Sequence, residues 1–322
     1  MRLVKYSVFT LLLVFVHIQF AAGQAWKVHP NNIKGDLVAI HFTSASRGFI
    51  AGDNGYLAST SDGGRSWREY ALNTTENINE IYFRNDDNGY LVAGRKLFIT
   101  SDGGSNWRET VIFRTSDFRG ATPTLLSIRF ADRRRGLAVG SLLNAKGNVI
   151  DSLVMRTVDG GDSWQRIIVP FKGELFHLDF SGSSHGWIVG DNGMLIATVD
   201  GGDTWRVQKT GTTKALYNVD FRDDDEGYAV GEAGTILRTE NGGSTWDIVR
   251  TAFPGTFMRV DFADDKNGWI VGHKGVILRS TDKGRTWVKV ESATTRNLYG
   301  LYIVKKYGWA VGAGGLLIEY LR

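Results

Sequence analysis

The stretch Thr198-Val199-Asp200-Gly201-Gly202-Asp203-Thr204-Trp205 returns in variant form along the chain, and this recurrence restricts the fold more than any other feature. The pattern Ser/Thr-x-Asp-x-Gly-x-Ser/Thr-Trp occurs six times, at residues 60–67, 100–107, 157–164, 198–205, 239–246 and 280–287. Asn106 stands for the second hydroxyl residue in one copy and Asn241 for the aspartate in another. A Gly-x-x-x-Gly element accompanies the repeat seven times: Gly48/Gly52, Gly89/Gly94 (one residue longer), Gly136/Gly140, Gly186/Gly190, Gly227/Gly231, Gly268/Gly272 and Gly308/Gly312. Between the second glycines the steps are 42, 46, 50, 41, 41 and 40 residues, close to the ~40–45 of a four-stranded propeller blade. The 40 glycines in 322 residues fit a turn-rich, helix-poor chain.

Within one repeat, Leu216-Tyr217-Asn218-Val219-Asp220-Phe221 alternates with the period of a strand, and residues 222–227 form a polar turn. Residues 228–231, 235–238 and 247–250 read as three further strands, with Ala233-Gly234 as a tight turn. No stretch has a helical period. The fold class is therefore all-β: a seven-bladed β-propeller of four-stranded antiparallel blades over residues 24–322. The recurring motif falls between the third and fourth strands. There Asp62, Asp102, Asp159, Asp200, Asn241 and Asp282 cap turn N–H groups, and Trp67, Trp107, Trp164, Trp205, Trp246 and Trp287 anchor it. An amide at Asn241 suits a turn cap and would weaken a cation site, so the motif is read as a structural clasp between outer strands. The seventh repeat ends without a motif or a fourth strand, whereas Trp26-Lys27-Val28 resembles the segment that follows each motif, as in Trp205-Arg206-Val207. The N-terminal segment is expected to supply the missing outer strand and close the ring.

Residues 1–23 have a basic start at Arg2 and Lys5, an apolar run from Val8 to Phe20 and small residues at Ala21-Ala22-Gly23, the three regions of an export signal. The run, interrupted by His17 and Gln19, falls short of the ~20 residues of a membrane span. The chain has no cysteine, which removes disulfides, thiolate metal sites and cysteine lipidation. Loss of Arg2 and Lys5 with the signal takes the formal charge from +4 to +2, too small a bias for nucleic acid or an anionic membrane surface. The six histidines lack metal-ligand spacing, so no cofactor or metal is expected, and the expected state is an exported monomer: periplasmic, thylakoid-lumenal or secreted.

The copies Gly186-Trp-Ile-Val-Gly-Asp-Asn-Gly-Met-Leu-Ile-Ala-Thr-Val-Asp-Gly-Gly-Asp-Thr-Trp205 and Gly268-Trp-Ile-Val-Gly-His-Lys-Gly-Val-Ile-Leu-Arg-Ser-Thr-Asp-Lys-Gly-Arg-Thr-Trp287 resemble the photosystem II stability and assembly factor family. The resemblance spans nearly all of residues 24–322. It implies a seven-bladed propeller of Asp-box (BNR) repeats acting as a non-enzymatic assembly factor, a scaffold that holds subunits of a membrane complex through an arginine-rich surface. Two departures stand out: no lipid-attachment cysteine, and an ordinary export leader.

Two surfaces are candidate binding sites. Residues 113–124 and 142–152 carry the extra length of the 46- and 50-residue steps and map to one face of the disc around blade three. The opposite face carries the one–two hairpins, acidic at Asp86/Asp87, Asp223/Asp224/Asp225 and Asp264/Asp265, basic at Arg133/Arg134/Arg135 and Lys305/Lys306. Three adjacent arginines repel one another, and a partner carboxylate would relieve this. Arg133, Arg134, Arg135, Arg296, Arg119 and Lys146 are the candidate partner-binding residues. Along the axis, His41, Glu80, Arg129, His177, Asp179, Asn218, Asp220, Arg259 and Asp261 read as a mutually satisfied polar lining. The alternative is a glycoside hydrolase of the sialidase or xyloglucanase type with Asp179, Asp220 or Asp261 as the carboxylates. Their recurrence at equivalent repeat positions favours a pattern role, and no catalytic residue is assigned.

Overall fold

The computed structural model describes residues 25–321, so the export-signal reading of residues 1–23 lies outside the described residues. Seven antiparallel sheets of four strands surround an axis. In blade five, Leu216–Phe221, Glu226–Gly231, Ile236–Glu240 and Asp247–Ile248 run from the axis outward. The fourth strand is shorter than its sequence suggests, two residues instead of four, a short outer edge that offers little backbone for pairing with another chain. No α-helix is present among the described residues, and no helix there is long and apolar enough to cross a membrane. In blades one, four, five and six the tight turn between second and third strands is a single 3-10 turn, as at Glu232–Gly234, where Ala233 takes φ 52°.

The ring closes as the sequence indicates. Ala25–Val28 pairs antiparallel with Leu316–Leu321, with Trp26 opposite Tyr320 and Lys27 opposite Glu319. In blade four Arg206 lies opposite Ala197, and the register places Trp26 where Trp205 stands there. Tyr320 occupies the position of the motif threonine, pairing with Gly308 as Thr198 pairs with Gly186. Blade seven therefore replaces the motif with an aromatic pair, Trp26 and Tyr320, whose ring centroids are 5.4 Å apart.

The core consists of wedges between neighbouring blades. Trp187, Val189 and Leu195 of blade four pack on Leu216, Val219 and Phe221 of blade five. The inner-strand Phe221 ring stacks on Trp187 at 3.3 Å and meets Trp246 edge-on at 5.8 Å. Phe42, Phe83, Phe130 and Phe262 repeat this edge-on contact with the tryptophan of their own blade. Both glycines of Gly-x-x-x-Gly follow from close approach. A Cβ on Gly227 would sit 2.4 Å from the Phe221 ring, and one on Gly231 only 1.9 Å from the Ala215 carbonyl oxygen.

The recurring motif holds its turn as expected. Asp200 accepts from Thr198 Oγ1 at 2.7 Å, Thr204 N–H at 2.8 Å and Thr204 Oγ1 at 2.6 Å. Asn241 reproduces this set, its Nδ2 donating to Thr245 Oγ1 at 2.9 Å in place of the accepted hydroxyl bond. The clasp, however, extends between blades. A Cβ on Gly284 of blade six would meet the Tyr228 ring of blade five at 2.4 Å, and one on Gly64 of blade one would meet Trp309 of blade seven at 2.4 Å. Tyr228 Oη also donates to the Lys283 carbonyl at 2.9 Å. Each motif turn is thus seated on the second strand of the preceding blade, and it fixes the angle between blades as well as the strands of its own.

The long segments of blade three also differ from the sequence reading. Residues 142–152 do not form a loop: Gly136–Leu143 and Val149–Thr157 are prolonged strands joined by a turn at residues 144–148. Their antiparallel ladder supplies the backbone partners that a loop of this length would lack. The crossing at residues 113–124 holds a 3-10 turn, Thr115–Phe118, and then enters the inner strand Thr122–Phe130.

Candidate functional site at the propeller axis

The inner strand of each blade is an edge strand whose outer backbone groups face the axis, and polar side chains of the neighbouring blade fill that need. Glu80 accepts the Ile128 N–H at 2.8 Å, and Asn218 accepts the Val260 N–H at 2.9 Å. Asp179 accepts the Phe221 N–H at 2.8 Å, and Asp261 accepts the Ile303 N–H at 3.1 Å. Arg129 donates to Glu80 at 2.7 Å, its second terminal nitrogen lies 3.1 Å from His177 Nε2, and its guanidinium sits 4.9 Å over the Tyr82 ring. The sequence-derived axial residues are brought together around one cavity of 280 Å³, and most of them staple blades. Asp220 makes no hydrogen bond among the described residues.

The electrostatics follow from burial and crowding. Burial raises Asp179 to about 6 and Asp261 to about 7. Asp220 is pushed well above the usual carboxylate range by burial and then by Asp261 and Asp179. Burial opposes ionisation of Glu80 too, but Arg129, His177 and Arg259 hold it well below the usual range. Burial lowers His41 to about 4 with Arg129 adding, and His177 to about 3 with Arg259 adding.

These shifts set a pH dependence. A carboxylate whose folded pKa is raised stabilises the fold fully below its unfolded value near ~4 and loses that contribution as pH rises through the folded value. A histidine whose folded pKa is lowered stabilises above 6.5 and loses its contribution as pH falls. Between pH 8 and 6.5 the carboxylates act throughout and the histidines begin to oppose them only toward the lower end, so the thermal midpoint is expected to rise over the upper part of that interval. Asp220→Asn removes the shared repulsion and is expected to raise the pH 8 midpoint by about 3 °C and flatten the rise. Calorimetry of both proteins from pH 8 to 6.5 checks this, and an equal slope in the two would contradict it.

A second layer lies at the start of the inner strands. Every blade carries a bulge there, between the first and third residues of the ladder in six blades and between Leu125 and Ser127 of the prolonged inner strand in blade three. The extra residues are Val38, Asn79, Leu126, Phe176, Tyr217, Met258 and Tyr299, and all seven line one pocket of 260 Å³ with Asp36, Asp53 and Arg259. Strict alternation assigns these residues to the blade cores. The bulge turns them to the axis instead, which is why sequence reasoning missed them. The only signal in the sequence is the absence of large side chains at the matching Gly231-type positions, which admits the close backbone.

The arginine candidates are split between faces. Motif turns and one–two hairpins share one face, as the Gly201 N–H donating to the Ser184 carbonyl at 2.8 Å shows. Two–three turns meet the blade crossings on the other, where the Asp191 N–H donates to the Glu174 carbonyl at 3.0 Å. On the hairpin face Arg135 donates to Asp132 at 2.7 Å and to the Ser183 carbonyl at 2.9 Å, and Arg134 donates to the Val158 carbonyl at 3.1 Å. The repulsion expected among the three arginines is thus already relieved inside the chain, and Arg133 alone lacks a hydrogen bond from its guanidinium among the described residues. On the crossing face Arg119 and Lys146 are exposed around blade three. Arg296 is on the same face at blade seven, donating to the Ala313 and Gly314 carbonyls at 3.1 and 3.0 Å. Among the described residues no group of three or more His, Cys, Asp or Glu side chains is placed to hold a metal ion.

Comparison with known proteins gives this architecture its kin. The family described as Photosynthesis system II assembly factor YCF48 matches in six overlapping stretches: residues 18–110, 65–172, 114–205, 157–252, 204–300 and 254–321. The curated Photosystem II assembly lipoprotein Ycf48 of Synechococcus sp. (strain CC9902) is 25% identical over 183 residues, 56% of this chain and 51% of that protein. The match thus spans about half the length of that relative. A solved structure of YCF48 bound to D1 peptide is 20% identical, covers 94% of this chain and 98% of its own, and has a TM-score of 0.73. The GH74 xyloglucanase from Xanthomonas campestris shares the fold at 13% identity and a TM-score of 0.69, covering 92% of this chain and 53% of its own. With family matches running without a gap from residue 18 to residue 321, the chain belongs to the photosystem II assembly factor YCF48 family.

Proposed function

We propose that the protein works without catalysis, binding a segment of a membrane-complex subunit on its crossing face and assisting assembly or stability of that complex. The observation that carries this reading is the family match over the propeller, joined to the D1 peptide held by the solved YCF48 relative. The axial carboxylates favour it as well. Asp179 and Asp261 are committed to backbone N–H groups of neighbouring blades, whereas a hydrolase needs a carboxylate pair free to face substrate. Arg119, Lys146 and Arg296 supply the cationic rim of the face, with the prolonged hairpin of blade three as a wall. Arg133, on the opposite face, is the one arginine of its turn left to take an outside carboxylate. The curated relative is named a lipoprotein, in keeping with export, and the same side of the membrane is proposed here: lumen or periplasm.

A triple reversal, Arg119→Glu with Lys146→Glu and Arg296→Glu, is expected to weaken binding of a D1 peptide at least about tenfold, with steep dependence on salt. Reversal of Arg133 alone is expected to change it little. Calorimetric titration measures both, and a triple variant that binds like the parent would refute the assigned face. Incubation with xyloglucan should release no reducing sugar.

A further inference from the structure

The pocket formed by the seven bulged residues combines apolar walls with one under-used cation. Phe176, Tyr217, Tyr299, Met258, Leu126 and Val38 form the walls, all half-buried. The two tyrosine hydroxyls are tied down at the edge, Tyr217 to Glu232 at 3.2 Å and Tyr299 to Asn297 at 3.3 Å, which limits the freedom of both rings. Arg259 lines both this pocket and the cavity beneath it. Its nearest acid is Glu80 at 3.9 Å, beyond hydrogen-bond reach, and Glu80 already takes Arg129 at 2.7 Å and the Ile128 N–H at 2.8 Å. The guanidinium of Arg259 donates no hydrogen bond among the described residues, so a fork of donors stays available at the floor of an apolar cup.

We propose that this cup takes the C-terminal residue of a partner protein, its free α-carboxylate paired with Arg259 and its apolar side chain against Phe176, Tyr217 and Met258. A volume of 260 Å³ falls below the ~300–1,000 Å³ of sites that enclose whole small molecules, and suits one terminal residue. Asp36 and Asp53 lie on the blade-one rim, accepting the Gly314 N–H and the Asp36 N–H, each at 2.9 Å. Their charge disfavours a carboxylate on that side and directs it to Arg259, with the N–H groups of the preceding residues toward the aspartates. This inference deepens the protein-binding reading and rests on it for the nature of the ligand.

The test uses N-acetyl-Ala-Ala-Leu as the free acid, the same peptide as its amide, and hexanoate, each titrated calorimetrically into the protein. The acid is expected to bind about tenfold or more tighter than the amide. Arg259→Gln and Met258→Asp should each erase that preference, and Lys305→Gln, at an exposed hairpin position on the opposite face, should keep it, with thermal melts confirming that all three variants fold. Equal affinity for acid and amide, no binding of either, or a preference that survives in Arg259→Gln would overturn the proposal. Hexanoate binding as tightly as the peptide acid would overturn it too, marking a fatty-acid site. Should a D1 peptide bind the face without any acid preference, this inference fails while the protein-binding reading stands. Acid preference with no D1 binding has the opposite meaning.

Discussion

Deleting residues 25–29 is expected to lower the thermal midpoint by about 10 °C or more and to make unfolding irreversible. The segment closes blade seven through Ala25–Val28, and its loss opens the whole edge of Leu316–Leu321 to solvent. Trp26, only 4% exposed, sits among Trp269, Leu316, Ile318 and Tyr320. Truncating a tryptophan in such a site costs about 3–5 kcal/mol on its own. His29 adds a contact to Glu319 at 2.6 Å and an edge-on ring contact with Trp309 at 4.8 Å. Trp26→Ala should therefore reproduce much of the effect of the deletion, and Lys27→Ala, at an exposed position, very little. A scanning melt of the three proteins decides it. A deletion that melts with the parent would show that the ring is held shut by something other than this strand.

Gly231→Ala is expected to be among the most damaging single methyl groups in the molecule, with its equivalents at Gly52, Gly140 and Gly312, at roughly 4 kcal/mol or more. The added Cβ would fall 1.9 Å from the Ala215 carbonyl oxygen and 2.9 Å from Leu216 Cα, both backbone atoms that cannot swing aside. Relief requires the inner strand of blade five to move toward the axis, where Asn218 and Asp220 are packed against their neighbours. Gly255→Ala is the control: its nearest neighbour is Val276 at 3.9 Å, so chemical denaturation of that variant should match the parent. Similar midpoints for the two variants would contradict the close-packing account of the Gly-x-x-x-Gly element.

The architecture was legible because its determinants are local and repeated. Gly227 and Gly231 must be glycine for reasons inside one blade, Asp200 caps a turn within four residues, and both recur at a fixed spacing. Ring closure was legible at Trp26 because the same three-residue signature follows the motif elsewhere. Determinants that act between blades left no comparable mark. That Gly284 seats on Tyr228 of the preceding blade is a contact across 56 residues, which no period within a repeat encodes. Bulging at Tyr217 and Met258 reverses the side to which alternation assigns them, so the axial mouth was hidden even though the polar lining beneath it was not. Charge misled in the other direction: Arg133, Arg134 and Arg135 look like a free cluster in sequence, yet the Val158 and Ser183 carbonyls and Asp132 occupy two of the three.

Hydrogen–deuterium exchange of the protein with and without a D1 peptide tests the central claim most directly. Binding on the crossing face predicts slowed exchange at residues 114–121, 144–148 and 293–297 and at the bulges of the inner strands, with the hairpin turn at residues 132–135 unchanged. Unaltered exchange across the crossing face at saturating peptide, or protection confined to residues 132–135, would contradict it.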